Sequence, residues 1–304
     1  MPQPEQLALI RAYQRTDAGL RARALAIVLA LWDGLTGWRD EDAESWLDQA
    51  LPILIGAQQA MGELTTAYLT SMIADMMGAA APAAAPVAVP AAAAPAAAAA
   101  AVPAVQAGLV AAATAAASGP AAQTVAGAAL RGVDPREVYV RPFVTVRAAI
   151  GEGRPLREAV ALGRQRLEIT IKTDMQLAAT RTSQRVLAGD RRVAGYRRVP
   201  GGGKNCALCL LASTQRYHRR RLMPIHPGCG CKVAPIVGDQ DPGQVIDEDL
   251  RDRIHDAVEE TIGRIDFGGR DPDYRKIVIE HEHGEIGAVM TVRGHKFTGP
   301  GDLD

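Results

Sequence analysis

Every cysteine of the chain falls within residues 206–231, CALCLLASTQRYHRRRLMPIHPGCGC. Cys206 and Cys209 open the stretch, Cys229 and Cys231 close it, and His226 stands three residues before Cys229. The spacing is C-x2-C-x16-H-x2-C-x-C. Two close pairs of soft donors joined by a loop suit one tetrahedral ion, because each pair supplies neighbouring ligands and the loop folds the pairs together. Thiolates bind zinc only when deprotonated, and Arg216, Arg219, Arg220 and Arg221 in the loop favour that form. Five donors compete for four positions: four cysteines with His226 outside, or three cysteines with His226. The one-residue gap between Cys229 and Cys231 is tight, and Pro227, Gly228 and Gly230 supply the turning it needs. The set is closed and no spare acid stands beside it, so the expected cofactor is a structural rather than a catalytic zinc. Two disulfides, or thiols without a metal, are the alternative for the same residues.

Other chemistry is thinly supported. None of Ser45, Ser71, Ser118, Ser183 and Ser213 lies in a G-x-S-x-G turn, and there is no H-E-x-x-H. Ser213 is five residues from His218, and Cys206 or Cys209 with His226 forms a thiol–imidazole combination, but neither is a recognisable catalytic constellation. Gly201-Gly202-Gly203-Lys204 lacks the spacing of a phosphate loop and reads as a flexible entrance to the cysteine stretch. No catalytic residue is therefore assigned, and an enzyme is the less favoured expectation.

The elements that must position these residues are mainly helical. Leu7, Ile10, Leu20, Ile27, Val28, Leu31 and Leu35 recur at helical spacing over 3–35. Gly37 stops that helix, and Asp40 or Asp42 caps a second one carrying Trp46, Leu47, Leu51, Leu54, Ala57, Met61, Leu64, Tyr68 and Met72, with Pro52 placed to kink it. Two apolar stripes predict an antiparallel pair over 1–78, with Trp32, Trp38 and Trp46 plugging its turn and Met61, Met72, Met76 and Met77 as packing filler. Residues 79–130 are alanine interrupted by Pro82, Pro86, Pro90, Pro95 and Pro103, a low-complexity linker with at most a weak helix over 104–117. Asp134-Pro135 starts a helix running to about Ile150, Gly151 and Gly153 make a loop, and Pro155 opens a long helix ended by Gly189. Its expected buried side carries Leu156, Val160, Leu167, Ile171, Met175, Ala178, Val186 and Leu187. The domain 131–240 thus holds helices and the Cys/His knuckle. Residues 241–304 hold an acidic amphipathic helix over 246–262, a β-hairpin from 275–281 and 287–293, and a loose tail after Thr298. His281 and His283 alternate on the first strand and read as a solvent-facing polar row.

Length permits roughly two domains of about 150 residues. Aromatics are only 4% of the chain, so the core is expected to be mainly Leu, Ile, Val and Ala. Net charge is zero but segregated: −5 over 1–130, +13 over 131–240 and −8 over 241–304. The basic middle either faces nucleic acid or an acidic protein surface, or pairs with the chain's own acidic flanks. The N-terminus lacks a signal-peptide apolar region, and a reducing compartment favours metal over disulfide. The uncharged stretch between Asp75 and Arg131 is long enough for a membrane span. Its alanine is barely apolar and its prolines break it, so no membrane association is expected.

A long helix ending near Thr180-Arg181-Thr182-Ser183, then Cys206-x2-Cys209, a loop, and His226-Pro227-Gly228-Cys229-Gly230-Cys231 resembles the Mu protein F-like (MuF) head morphogenesis family of tailed bacteriophages. The resemblance covers 150–237. Gly230 stands where that family has arginine, and Gly-Gly-Gly-Lys-Asn-Cys replaces its Asp-x-Arg-x-x-Cys entrance. The C-terminal run from Glu282 to Pro300 is similar to the ends of actinobacteriophage proteins from the same gene position, described as minor capsid proteins or capsid maturation proteases. The resemblance implies a minor capsid protein acting in procapsid assembly, made in the host cytoplasm and carried in the virion head. It implies portal, scaffold or major capsid protein as partners, and phage DNA through the basic middle. A capsid maturation protease is the alternative function.

Overall fold

The computed structural model describes residues 4–78, 124–200, 209, 212–213, 215–220, 230–242, 278–283 and 287–292. The expected linker over 79–123, the helix over 246–262 and the tail after Thr298 lie outside them. The described chain is mainly helical: α1 (Pro4–Asp33), α2 (Asp40–Met76), the single turn α3 (Ala128–Arg131), α4 (Pro135–Tyr139), α5 (Arg141–Gly151) and α6 (Leu156–Gly189). Five strands follow: β1 (Val193–Val199), β2 (Arg216–His218), β3 (Lys232–Val237), β4 (Val278–His283) and β5 (Gly287–Val292). No helix among the described residues is long and apolar enough to cross a membrane.

The N-terminal helical pair is present. In α1 the buried line is Gln6, Ile10, Tyr13, Asp17, Ala24, Val28 and Trp32, recurring three, four or seven residues apart. Leu7, Leu20, Ile27 and Leu31 flank that line, half-buried. The Asp42 carboxylate accepts the Arg39 backbone N–H at 2.8 Å, which satisfies a donor at the start of α2. That carboxylate occupies the space a side chain on Gly37 would need, so a glycine ends the turn.

The chain divides into two compact units, with boundaries inside α1, α2 and α6 and a fourth between Ala84 and Ala85. One unit comprises Thr16–Thr66 and Ala85–Thr182. Four aromatic rings cluster within it. Trp32 lies 5.0 Å from Trp38, 5.8 Å edge-on from Trp46 and 4.9 Å from Phe143. The tryptophan plug read from the sequence is thus completed by a phenylalanine of α5. Gly163 of α6 packs under Trp32 and Val146, where a methyl group would meet both. The helix expected from Pro135 to Ile150 is two helices, because Pro142 lies in the first turn of α5 and lacks the N–H needed to continue α4. Asp134 caps α4 through the Arg136 N–H at 2.8 Å. Gly132 ends α3 with φ +75°. Leu156, expected on the buried side of α6, is 56% exposed.

The other unit comprises Met1–Arg15, Ala67–Ala84 and Ser183–Asp304. It contains a three-stranded antiparallel sheet in the order β2-β1-β3, and β4 paired with β5 from Val278↔Val292 to His283↔Gly287. Strand β1, central and almost wholly buried, has the sequence VAGYRRV. Arg197 and Arg198 fall in the basic middle of the sequence, where no strand was expected.

Candidate functional site

The site is the sheet at the base of the cysteine stretch. Val and Tyr in β1 suit a pleated, buried surface. The chain leaves β1 at Val199 and returns at Lys232, and these two are Cα partners. Cys206, Cys209, His226, Cys229 and Cys231 therefore all lie on one loop whose two ends are joined by antiparallel backbone pairing. Strand β2, from inside the loop, pairs with the other edge of β1 through Tyr196↔Tyr217 and its neighbours. Gly195 permits this, since a Cβ there would meet the Tyr217 carbonyl.

Asp241, just beyond β3, ties the three strands together. Its carboxylate accepts Arg197 Nε at 2.5 Å and Nη2 at 2.8 Å, and Arg216 Nε at 2.5 Å. Arg197 and Asp241 are only 10% and 14% exposed, so this fork is stronger than a surface pair. Tyr196 and Tyr217 stack at 5.1 Å, with the Arg198 guanidinium 6.0 and 5.8 Å from their centroids. Burial pushes both phenols up, and the Arg198 charge opposes it. In the same unit, Tyr68 donates to the Val233 carbonyl at 2.9 Å and stacks on Tyr13 at 4.3 Å. Lys232 Nζ lies 5.5 Å over the Tyr13 ring, and Gln14 donates to the Pro200 carbonyl at 2.8 Å. Both ends of the loop are thereby held on α1 and α2. Burial, and secondarily Tyr13, raises the Tyr68 pKa.

The expected structural zinc is corrected. Among the described residues no group of three or more His, Cys, Asp or Glu side chains could hold a metal ion. A tetrahedral site needs four donors at one point. Of the five donors assigned to it, Cys209 is buried and Cys231 half-buried at the foot of β3. Cys206, His226 and Cys229 lie outside the described residues. Joining the loop's ends, the task given to the ion, is done by the β1–β3 ladder. Of the four arginines expected to stabilise thiolates, Arg216 is engaged with Asp241 and Arg219 with the Asp190 carbonyl at 2.6 Å. Ser213 is buried, whereas His218 is exposed and its Nδ1 accepts the Arg220 N–H at 3.3 Å.

The fate of the basic middle is clear for many of its members. Arg136 pairs with Glu44 at 2.6 Å and with Asp48, Arg147 with Asp40, and Arg164 with Asp33 at 2.9 Å. Each reaches back to an acid of the N-terminal helices, which is the self-pairing alternative posed by the charge distribution. Sequence reasoning missed one buried polar group altogether. Asp174 on α6 accepts Arg131 Nε at 2.6 Å and the Tyr139 hydroxyl at 2.7 Å, with Arg131 and Asp174 both 4% exposed. Burial, reinforced by the Asp174 charge, holds the Tyr139 pKa well above its ordinary value. Gln58 stands beside this group and accepts the Gly127 N–H at 2.8 Å. A signal existed: Asp174 falls in line with Leu167, Ile171 and Ala178, on the apolar stripe of α6.

Comparison with family models matches residues 5–257 to the VG15 protein family. Comparison with curated proteins and with solved structures found no match. The match takes in α1 to α6 and the whole β2-β1-β3 sheet. Matched over most of its length, the chain belongs to the VG15 protein family.

Proposed function

We propose that this protein is a minor capsid, head morphogenesis protein of a tailed bacteriophage, with a structural role in procapsid assembly near the portal. The observation that carries this reading is the long helix α6 followed in sequence by Cys206-x2-Cys209 and the closing His226-Pro227-Gly228-Cys229-Gly230-Cys231, the order that resembles the MuF family. The loop acts as a structural clamp closed by its sheet, and β4 with β5 forms a C-terminal hairpin downstream of the family match. Portal, scaffold or major capsid protein is the partner class. DNA is the weaker alternative, because Arg136, Arg147, Arg164 and Arg197 already meet carboxylates of this chain and would have to give these up to neutralise phosphates. On this reading the protein resides in the virion head, after synthesis in the host cytoplasm.

The test is co-expression with the portal, scaffold and major capsid proteins of the same virus. The expected result is co-sedimentation of this chain with procapsids whose capsid protein is uncut, and aberrant assembly when the chain is omitted. Absence from the particles overturns the reading. Cleavage of scaffold or capsid protein that is lost on Ser213→Ala or Cys206→Ala, with the fold intact, replaces it with the maturation protease.

A further inference from the structure

We infer that the outer edge of β2 takes an extended, acidic segment of a partner protein as a fourth strand, with Arg191 and Arg220 meeting its carboxylates. In the order β2-β1-β3, β2 is an edge strand, and among the described residues no strand pairs with its outer side. Arg216 and His218 are exposed there and Tyr217 is half-buried. A strand edge presents a row of backbone donors and acceptors, and an extended peptide that joins the sheet satisfies them.

Charge selects the occupant. Strands β1 and β2 are antiparallel with Gly195 opposite His218, so Arg219 and Arg220 leave β2 at the end of the sheet where Arg191 and Arg192 enter β1. The Arg219 guanidinium donates to the Asp190 carbonyl at 2.6 Å, which fixes this corner. Arg192 is forked on the Asp190 carboxylate at 2.9 and 2.6 Å. Arg191 and Arg220 are exposed, and neither guanidinium meets a carboxylate among the described residues, so their charge is available to a partner. Asp239 is also exposed and adjoins Gly238, whose N–H donates to the Arg192 carbonyl. Four arginines and two aspartates leave the corner at net +2. The mixture of signs favours a peptide over nucleic acid. A phosphate backbone carries a charge about every 3.4 Å along each strand and would meet Asp239 too, whereas a peptide carries carboxylates only where arginines face them. Charge on an edge strand turns apolar strands away, and opposite charges across neighbouring strands attract.

The inference rests on the reading of a protein partner, but its test needs no procapsid, so either can fail without the other. The full chain is titrated into a fluorescein-labelled peptide of about seven residues, glutamate alternating with threonine, about 23 Å long when extended. A saturable rise in anisotropy is expected, and the affinity falls as salt rises. Lysine in place of each glutamate abolishes binding, and so does N-methylation of alternate backbone nitrogens, which removes the donors that a strand needs. Arg191→Glu with Arg220→Glu weakens binding about tenfold, from reversed charge at two exposed positions. Arg191→Gln with Arg220→Gln weakens it in the same direction and by less. Unchanged far-ultraviolet circular dichroism verifies that the variants are folded. The inference is overturned by any of four results: no saturable binding, equal binding of the lysine or the N-methylated peptide, unchanged affinity in both double variants, or displacement of the peptide by a single-stranded oligonucleotide.

Discussion

Replacing Asp174 with asparagine tests the buried Arg131–Asp174–Tyr139 group. Asparagine keeps the shape and can still accept the Tyr139 hydroxyl, so the change isolates the charge. Both members of the ion pair are 4% exposed and the contact is 2.6 Å, so Arg131 is left as a buried cation without its carboxylate. Breaking such a pair from one side costs about 3–5 kcal/mol, a large part of the roughly 5–15 kcal/mol that holds a domain folded. Removing both charges, as Arg131→Met with Asp174→Leu, recovers most of that loss, because neither ion is then desolvated. Tyr139→Phe loses one hydrogen bond, about 1–2 kcal/mol. Tryptophan fluorescence in urea is the assay. Trp32, Trp38 and Trp46 are the only tryptophans and all belong to the same compact unit as Arg131, Tyr139 and Asp174. The midpoint is expected to fall with the slope unchanged. An Asp174→Asn cost below about 1 kcal/mol refutes the reasoning, as does a double variant no more stable than the single one.

Gly163→Ala places a methyl group against Val146 and within 3.0 Å of both the Pro142 carbonyl and Trp32 Cζ2. It is expected to cost about 1–3 kcal/mol in the same urea assay. Gly151→Ala meets nothing within 4 Å and should change stability by less than about 1 kcal/mol. Tyr68, Tyr139, Tyr196 and Tyr217 are all raised by burial. A raised folded-state pKa contributes stability that is complete below the unfolded phenol value, about 10, and is lost as pH climbs above it. Ultraviolet titration should therefore show these four ionising only as the fold opens, and normal titration near pH 10 in the native state contradicts their burial. Iodoacetamide on the native chain should label half-buried Cys231 before buried Cys209, and equal rates count against the burial of Cys209.

The helices were legible in the sequence because their signals are local. Apolar residues every three or four positions marked α1, α2 and α6; Asp134-Pro135 and Gly189 marked ends; three tryptophans close in sequence marked a core. Local signals also misled. Residues 135–150 have an unbroken helical period, yet Pro142 divides them. Four spaced cysteines read as a metal site because ligand spacing is a strong pattern, whereas the pairing that joins the loop's ends links Val199 to Lys232, across the loop itself. Arg197 and Arg198 counted only toward the basic middle because their partners, Asp241 and Tyr217, are distant in sequence.

The sequence by itself determined the helical class, most helix boundaries, the charge segregation along the chain and the placing of all cysteines within residues 206–231. Tertiary structure alone decided which acid meets which base, that part of the basic middle is the central strand β1, and that Asp174 is a buried hub. Burial and pairing depend on residues far apart along the chain. Arg136 meets Glu44 across 92 positions and Tyr68 meets Val233 across 165. Helical periodicity carries no information at that range, and only the fold brings such groups within hydrogen-bonding distance.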